Sequence, residues 1–340
     1  MHTIEHHTFD GDLRRNPVSG EFTVVASVRR GRPNGAAGDA AENQSICPFC
    51  EGHERLTPPE IDALRDEGSA NEPGWRVRVV PNKYPAFADG HEVIVHSPAH
   101  DVEFEQLSAD EAADVIRMYQ CRLEALLGRG AAAVTIIHNR GSLAGASLAH
   151  PHSQAIATQM VPPVLQRELN NLNRYHDLHG TCLLCDMGNA AVAELGALRA
   201  DGSAADGLTG TGTQPTGMGE EALPVFAQDG LVAWTPRASR FSYELWLAPQ
   251  AHEADMRAAD PRAVAAALQR ALRALGSASG AAALNYWLHT APSDGHNICH
   301  WHIEIAPRLS AIAGFELGSG ITINAVDPAE AAAQLRHAAE

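Results

Sequence analysis

The run HPHSQ, residues 150–154, combines a candidate metal ligand with a candidate nucleophile. In extended backbone, residues two apart point to the same side, so His150, His152 and Gln154 share one face. A neutral imidazole attacks phosphorus near pH 7, because its unperturbed pKa of ~6.5 leaves the free base dominant. Gln154 offers an amide donor to phosphate oxygens without adding negative charge. We therefore predict that His152 is a nucleophile toward a phosphoryl group and that Gln154 assists it.

Two Cys-x-x-Cys pairs, each followed by two distant histidines, have the residue types of a tetrahedral zinc site. A redox pair of the thioredoxin kind, or two neighbouring buried cysteines, would explain one such pair but not the matching histidines in both halves. Four protein ligands leave no open position, so we expect two structural zinc sites. The predicted ligand sets are Cys47, Cys50, His100 and His150, and Cys182, Cys185, His252 and His300.

The remaining two cysteines lie outside these sets. Cys121 falls inside a predicted helix, where we expect it in the core. Cys299 precedes His300, and we expect it to pack rather than to bind metal.

The spacing of these residues repeats along the chain. In the first set the intervals from second cysteine to first histidine and between the histidines are each 50 positions, and in the second set they are 67 and 48. A Gly/Thr-rich stretch, residues 201–219, lies inside the longest interval and accounts for its excess. In both halves the last histidine begins a His-x-His pair. We interpret the pattern as internal duplication, with one domain over residues 1–178 and a second over residues 179–340.

Strand-like and helical stretches alternate in both halves. Strands are expected at residues 22–27, 75–80, 92–96, 132–138, 150–158, 231–235, 242–247, 284–289 and 300–305. Helices are expected at residues 108–127, 164–179 and 261–275 and at the C-terminus, the first starting at a capping box of Ser108 and Glu111. We predict an α+β fold of two tandem units, with a mixed or antiparallel sheet and helices.

The second copy of the reactive run reads HWHIE, residues 300–304. Glu304 stands where the first half has Gln154, and a carboxylate repels a phosphate. The glycine-rich approach of residues 139–147 has no counterpart before His300. These differences predict a catalytic N-terminal half and a degenerate C-terminal half that contributes structure and part of the acceptor pocket.

The composition excludes several classes of function. A formal charge of −16 argues against binding a nucleic-acid polymer, because a phosphate backbone needs a basic face. Lys83 is the only lysine of the 340 residues, so Schiff-base and P-loop chemistry, which need a lysine, have a single candidate residue. No apolar run approaches the ~20 residues that span a bilayer, and the first residues lack a signal-peptide pattern, which predicts a cytoplasmic protein.

The chain resembles the galactose-1-phosphate uridylyltransferase family, a branch of the histidine-triad superfamily, over nearly its whole length. The motifs that carry this resemblance are RRNPVSGE, SVRRGRP, CPFC, PNKYPAF, HEVIVHSPAHD, HNRGSLAGASLAHPHSQ, CLLC, HWHIEIAPRL and GFELGSG. Several of them in order make a specific signal, whereas His-x-His alone is weak.

The resemblance implies a ping-pong reaction in a homodimer. His152 would attack the α-phosphorus of UDP-glucose, release glucose 1-phosphate, and pass the bound UMP to galactose 1-phosphate. Iron is left open as an alternative to zinc in one metal site. The substrate contacts that it implies are Arg29 and Arg32 at phosphate, Asn82 at the nucleotide, Asn139, Gly145 and Ser147 in the phosphate loop, and Glu316 at the hexose hydroxyls.

Two departures from the family pattern leave the substrates open. Ser153 stands where many uridylyltransferases have glycine, and GFELGSG lacks the lysine and glutamine that some members use at the hexose. Both features resemble the branch that includes ADP-glucose phosphorylase, in which AMP is carried and inorganic phosphate accepts it. A hydrolase of nucleotide conjugates and a non-catalytic, zinc-stabilised nucleotide-binding protein are also compatible with these motifs.

Overall fold

The architecture rests on a ten-stranded sheet to which both halves of the chain contribute. The computed structural model describes residues 12–27, 46–200, 221–295 and 297–340. The described helices are α1 (Ala109–Gly128), α2 (Pro163–His179), α3 (Leu183–Ala200), α4 (Pro261–Ser279), α5 (Gly314–Ser319) and α6 (Pro328–Ala338). The described strands are β1 (Asp12–Arg15), β2 (Phe22–Val25), β3 (Asp62–Arg65), β4 (Trp75–Pro81), β5 (His91–Val95), β6 (Ala133–Arg140), β7 (His152–Thr158), β8 (Ala222–Gln228), β9 (Leu231–Pro236), β10 (Leu245–Pro249), β11 (Leu284–His289), β12 (His302–Pro307) and β13 (Ile321–Asn324).

The large sheet has the strand order β3-β4-β5-β7-β6-β11-β12-β10-β9-β8, and its neighbouring strands are antiparallel. The halves join where β6 pairs with β11, with Asn139 opposite Asn285. A smaller sheet of β1, β2 and β13 pairs β13 parallel to β2. The predicted α+β fold with antiparallel sheet is confirmed. The repeated order of strands and helices agrees with internal duplication, and the domain boundary at residue 178 stays a prediction.

Local sequence signals account for the ends of the main helices. The side chain of Ser108 accepts a hydrogen bond from the Glu111 N–H, and Glu111 accepts one from the Ser108 N–H, so the predicted capping box starts α1. Proline occupies the first position of α2, and α2 ends where Gly180 takes a left-handed φ of 72°.

The two faces of the large sheet are covered differently. Helices α1 and α4 pack on one face, over the main hydrophobic core. On the other face, α3 covers β8, β9 and β10 around Trp234 and Trp246, whereas Phe49 packs against β4 and β5 in the first half. Along β7, Ala155 joins the core under α1, while His152 contacts Phe49. Because side chains alternate along a strand, His152 and Gln154 lie on the face away from α1 and α4.

Several expectations need correction or lie outside the described residues. Cys121 is exposed rather than in the core, because it lies two positions past the buried Tyr119 and points away from that face of α1. Cys299 is buried, as predicted. The sequence patterns did not predict β1, β3, β8 and β13, and residues 201–219 lie outside the described ranges. Among the described helices, none is both long and apolar enough to cross a membrane.

Candidate active site and metal centres

His152 is the first residue of β7, and its side chain is 6% exposed. Its Nδ1 lies 2.8 Å from the carbonyl oxygen of His150. A carbonyl can only accept, so Nδ1 carries the proton and Nε2 carries the lone pair of the neutral ring. Burial lowers the pKa of His152, which favours the neutral form. The ring also meets Phe49 edge-on, with 5.2 Å between the ring centroids.

Gln154 lies two residues further along β7, on the same face as His152. Its side-chain oxygen is 2.7 Å from Nε2 of His91 and 3.3 Å from Nδ2 of Asn82. The family resemblance predicted Asn82 at the nucleotide, and the structure places it against Gln154. His91 is the first residue of the motif HEVIVHSPAHD, but the sequence analysis assigned it no role.

The end of β6 and the loop that follows it hold Asn139, Gly145 and Ser147, which were predicted to form the phosphate loop. Nδ2 of Asn285 donates to Oδ1 of Asn139 at 2.8 Å and to the carbonyl of Ala144 at 2.9 Å. The second half therefore anchors the start of this loop. Gly145 has a φ of 82°, in the left-handed region that glycine adopts at little cost, and Ser147 is exposed.

Of the remaining predicted substrate contacts, only Glu316 lies within the described residues. Glu316 lies in α5, where it accepts a hydrogen bond from the Ala313 N–H at 3.1 Å. It also lines a small cavity with Arg240 and Ser242. Arg29 and Arg32 fall outside the described residues. The roles of these three residues stay predictions.

The first predicted metal set comes together as a group of four potential ligands. Nε2 of His150 lies 2.8 Å from the carbonyl of Ser97, so its Nδ1 lone pair faces the cysteines. That Nδ1 is 3.7 Å from the sulfur atoms of both Cys47 and Cys50, and Nδ1 of His100 is 3.3 Å from Cys50 Sγ. Tetrahedral zinc with bond lengths of ~2.3 Å to sulfur and ~2.0 Å to nitrogen needs about 3.6 Å between such atoms.

The second set repeats this geometry. Nε2 of His300 lies 2.9 Å from the carbonyl of Pro249, which again turns Nδ1 toward the cysteines. The distances from that Nδ1 to Cys182 Sγ and Cys185 Sγ are both 3.5 Å. Nδ1 of His252 is 3.8 Å from Cys185 Sγ. The residues of both sets thus fit one tetrahedral cation each.

The chemistry of the first set also fits a bound cation. Burial raises the pKa of the Cys50 thiol to about 11. A divalent cation would reverse this effect, because the thiolate is the ligand form and metal binding releases the proton.

A third group of potential ligands was not predicted from the sequence. The group is fully buried beside β11 and β12 in the second half. Its members are Glu168, His289, His302 and Glu304. Nδ1 of His289 lies 2.8 Å from Oε2 of Glu168 and 3.3 Å from Oε1 of Glu304, so the members of this group pair with one another. No spacing pattern indicates this group, because Glu168 comes from the middle of α2 and only tertiary packing brings it to the histidines.

A hydrogen-bonded network lies behind the reactive strand, on the face that α1 covers. The hydroxyl of Ser153 is 2.5 Å from Tyr119 OH and 2.8 Å from Nε2 of His96. Tyr119 OH is in turn 2.7 Å from Tyr286 OH, which comes from the second half. Ser153, the residue that departs from the family pattern, is therefore a fully buried member of a polar core.

His138 links this network to the nucleophile strand. Its Nδ1 donates to the carbonyl of His152 at 2.9 Å, and its ring stacks on Tyr286 at 4.7 Å between centroids. Burial, followed by the neighbouring His152, lowers the pKa of His138 to about 3. The ring is thus a neutral, fixed support for the backbone at His152.

Comparison with known proteins agrees with this arrangement. A family model described as "Galactose-1-phosphate uridyl transferase, N-terminal domain" matches residues 88–162, the segment from β5 through β7. The match includes His100, His150 and His152. Together with the relatives below, it confirms the resemblance carried by the sequence motifs: the chain is related to the galactose-1-phosphate uridylyltransferase family.

Two curated relatives match almost the whole chain. One is named ADP-glucose phosphorylase, from Arabidopsis thaliana, 24% identical over 96% of this chain and 92% of its own length. The other is a galactose-1-phosphate uridylyltransferase from Thermotoga maritima, 23% identical over 96% of this chain and 98% of its own length.

Solved structures share the fold. An ADP-glucose phosphorylase from Arabidopsis thaliana with bound ADP-glucose has a TM-score of 0.78 at 24% identity, covering 96% of this chain and 98% of that one. A uridylyltransferase structure has a TM-score of 0.70 at 23% identity, with 96% and 98% covered.

Proposed function

We propose that this chain is a nucleotidyltransferase that takes a nucleotide from a nucleotide sugar onto His152 and passes it to a second phosphate-bearing substrate. The observation that carries the proposal is the hydrogen bond from Nδ1 of His152 to the carbonyl of His150, 2.8 Å long. It makes Nε2 the nucleophilic nitrogen, and burial keeps the ring neutral.

In the first step, the Nε2 lone pair of His152 forms a bond to the α-phosphorus of the nucleotide sugar. The bond from that phosphorus to the bridging oxygen breaks, and the sugar 1-phosphate leaves with the electron pair. The carbonyl of His150 stabilises the positive charge that develops on the ring by accepting from Nδ1–H. The side-chain amide of Gln154 donates to a phosphoryl oxygen, where charge builds up in the transition state.

In the second step, a phosphate oxygen of the acceptor attacks the same phosphorus. The bond from phosphorus to Nε2 breaks, and its electron pair returns to the neutral imidazole. A leaving sugar phosphate is already a weak base, so neither step needs a strong general acid. A glutamine at position 154, rather than a further histidine, is consistent with transfer rather than hydrolysis.

Two donor–acceptor pairs fit this machinery. One is UDP-glucose with galactose 1-phosphate, supported by the family match and the full-length match to the Thermotoga maritima relative. The other is ADP-glucose with inorganic phosphate, supported by the full-length match to the Arabidopsis thaliana relative and by serine at position 153.

The two cysteine–histidine sets would each hold a structural zinc ion, with iron as the alternative in one. Such an ion would crosslink the Cys-x-x-Cys pair of each half to the start of β7 in the first half and of β12 in the second. A cytoplasmic location, expected from the sequence itself, and a homodimer, implied by the family resemblance, complete the proposal.

The test is intact-protein mass spectrometry after separate incubation with UDP-glucose and ADP-glucose, with His152→Ala as control. A UMP-sized adduct on the wild type alone would support uridylyl transfer, and galactose 1-phosphate would be the acceptor to add next. An AMP-sized adduct would support the phosphorylase reaction. If neither donor leaves an adduct, covalent transfer from these donors is wrong, and binding without chemistry becomes the better interpretation.

A further inference from the structure

The segment that connects β4 to β5 makes polar contact with Gln154. Two side chains at the ends of this segment, Asn82 and His91, converge on the side-chain oxygen of Gln154. The distances are 3.3 Å from Nδ2 of Asn82 and 2.7 Å from Nε2 of His91. The hydrogen positions at His91 and Asn82 follow from contacts with backbone N–H groups.

The tautomer of His91 is set by the backbone. The N–H of Ala86 points at Nδ1 of His91, with 3.0 Å between the nitrogens. A backbone N–H can only donate, so Nδ1 is the acceptor and the neutral ring carries its proton on Nε2. Nε2–H of His91 therefore donates to the Gln154 oxygen.

The orientation of Asn82 is set in the same way. The N–H of Tyr84 donates to Oδ1 of Asn82 at 2.9 Å, which identifies the other terminal atom as the amide nitrogen. Nδ2 of Asn82 therefore also donates toward the Gln154 oxygen. It also lies 3.0 Å from Nε2 of His91, a close approach of two donors that point at the same oxygen.

Two donors on one oxygen leave a single favourable orientation for the Gln154 amide. If the amide turned over, its NH₂ group would face two N–H donors, and both would lose their acceptor. Losing one such contact costs about 1–3 kcal/mol for a group screened from water. The favoured orientation directs the NH₂ group of Gln154 away from His91 and Asn82.

We propose that His91 is a positioning residue that, together with Asn82, holds the Gln154 amide so that its NH₂ group donates to the phosphoryl group on His152. This inference rests on the proposed function, because it needs a phosphoryl group at His152. It assigns Asn82 a role in orienting Gln154, and it gives a role to His91, to which the sequence analysis had assigned none.

The test compares two substitutions at His91. His91→Phe keeps a ring but removes the donor, and His91→Gln restores an N–H near the position of Nε2. We expect His91→Phe to slow nucleotidyl-enzyme formation in single turnover by about 10- to 100-fold with little change in KM, since the amide contact strengthens in the transition state. His91→Gln should recover most of the rate. His337→Phe, at the exposed end of α6, is the matched control.

A double-mutant cycle decides whether His91 acts through Gln154. In a Gln154→Ala background, His91→Phe should cause no further loss of rate, because the group that it orients is gone. Independent, multiplying losses would overturn the proposal.

A second measurement separates this inference from the proposed function. In protein labelled with ¹⁵N-glutamine, the side-chain amide signal that disappears in Gln154→Ala belongs to Gln154. His91→Phe should shift that signal, and His337→Phe should not. An unmoved signal would overturn the positioning role even if the wild type forms an adduct. A shifted signal without any adduct would leave the contact intact and contradict the proposed function instead.

Discussion

The strands β7 and β12 begin alike and lead to different environments. Each starts with a histidine whose Nδ1 donates to the carbonyl of the histidine two residues before it, at 2.8 Å for His152 and 3.0 Å for His302. His302, however, stacks on Trp246 with 5.0 Å between ring centroids. Its Nε2 is buried, 3.9 Å from Glu168 and 3.6 Å from Glu304. The same local backbone thus places one histidine beside Gln154 and the other against buried carboxylates.

The residue two positions further along explains much of the difference. Gln154 is neutral and is held by the donors His91 and Asn82. Glu304 is a fully buried carboxylate paired with Arg240. Burial raises the pKa of Glu304, but Arg240, His302 and His289 together outweigh burial and lower it to about 2. One half has therefore kept a neutral pocket suited to an anionic phosphate, and the other has a packed ionic core.

The largest expected difference between the two halves is the effect of replacing His152 or His302. His152→Ala should reduce nucleotidyl transfer by ~10⁴-fold or more, because it removes the covalent pathway. It should leave folding and metal content unchanged. His302→Ala should retain transfer per folded molecule and lower thermal stability, because it empties a site between Trp246 and buried carboxylates. Transfer assays and thermal melts on both variants check this, and full activity in His152→Ala would refute the nucleophile.

The two metal sets should be equivalent in structure. Cys47→Ala and Cys182→Ala should each lower the bound metal by about one ion per chain and decrease thermal stability, since metal binding is coupled to folding. Elemental analysis of purified protein measures the metal content. Cys121→Ala, at the exposed cysteine of α1, is the matched control and should change neither quantity. Unchanged metal in either test variant would remove that site.

Disrupting the ionic core of the second half should lower the stability of the protein rather than its transfer activity. Glu304→Gln should cost about 3 kcal/mol of unfolding free energy, at the lower end for a broken buried pair, because Glu244 still pairs with Arg240 at 2.8 Å. Since the folded pKa of Glu304 lies below its unfolded value, the wild-type advantage should be complete above pH ~4.5 and shrink as the pH falls toward 2. Denaturant melts across pH check both statements. A variant as stable as wild type at pH 7 would contradict them.

The smallest effect is expected at His138, behind the nucleophile strand. Its pKa of about 3 lies below the unfolded value of ~6.5, so its contribution is complete above pH ~6.5 and is lost as the pH falls toward 3. His138→Phe keeps the stacked ring but removes the bond to the His152 carbonyl, at a cost of about 1 kcal/mol at pH 7. Unfolding free energies between pH 7 and 4 should fall less steeply in the variant. Parallel pH curves would show that this histidine does not contribute to acid sensitivity.

By itself, the sequence determined most of the secondary structure of both halves, the nucleophile candidate and both cysteine–histidine sets. The secondary-structure inferences worked because each depended on local chemistry, whereas the role of the nucleophile candidate stays a prediction. The capping box at Ser108, the period of two along β7 and the Cys-x-x-Cys turns are signals within a few residues of each other. The repeat of the same order in both halves then strengthened each of them.

Only the tertiary structure decided which groups surround these residues. The Glu168 carboxylate reaches the second half from α2, Tyr286 reaches the first half from β11, and His91 meets Gln154 across a strand pair. Cys121 was misplaced because helical periodicity alone did not show which side of α1 faces the sheet. Such contacts join residues far apart in sequence, and their partners depend on strand order and register, which no local pattern encodes.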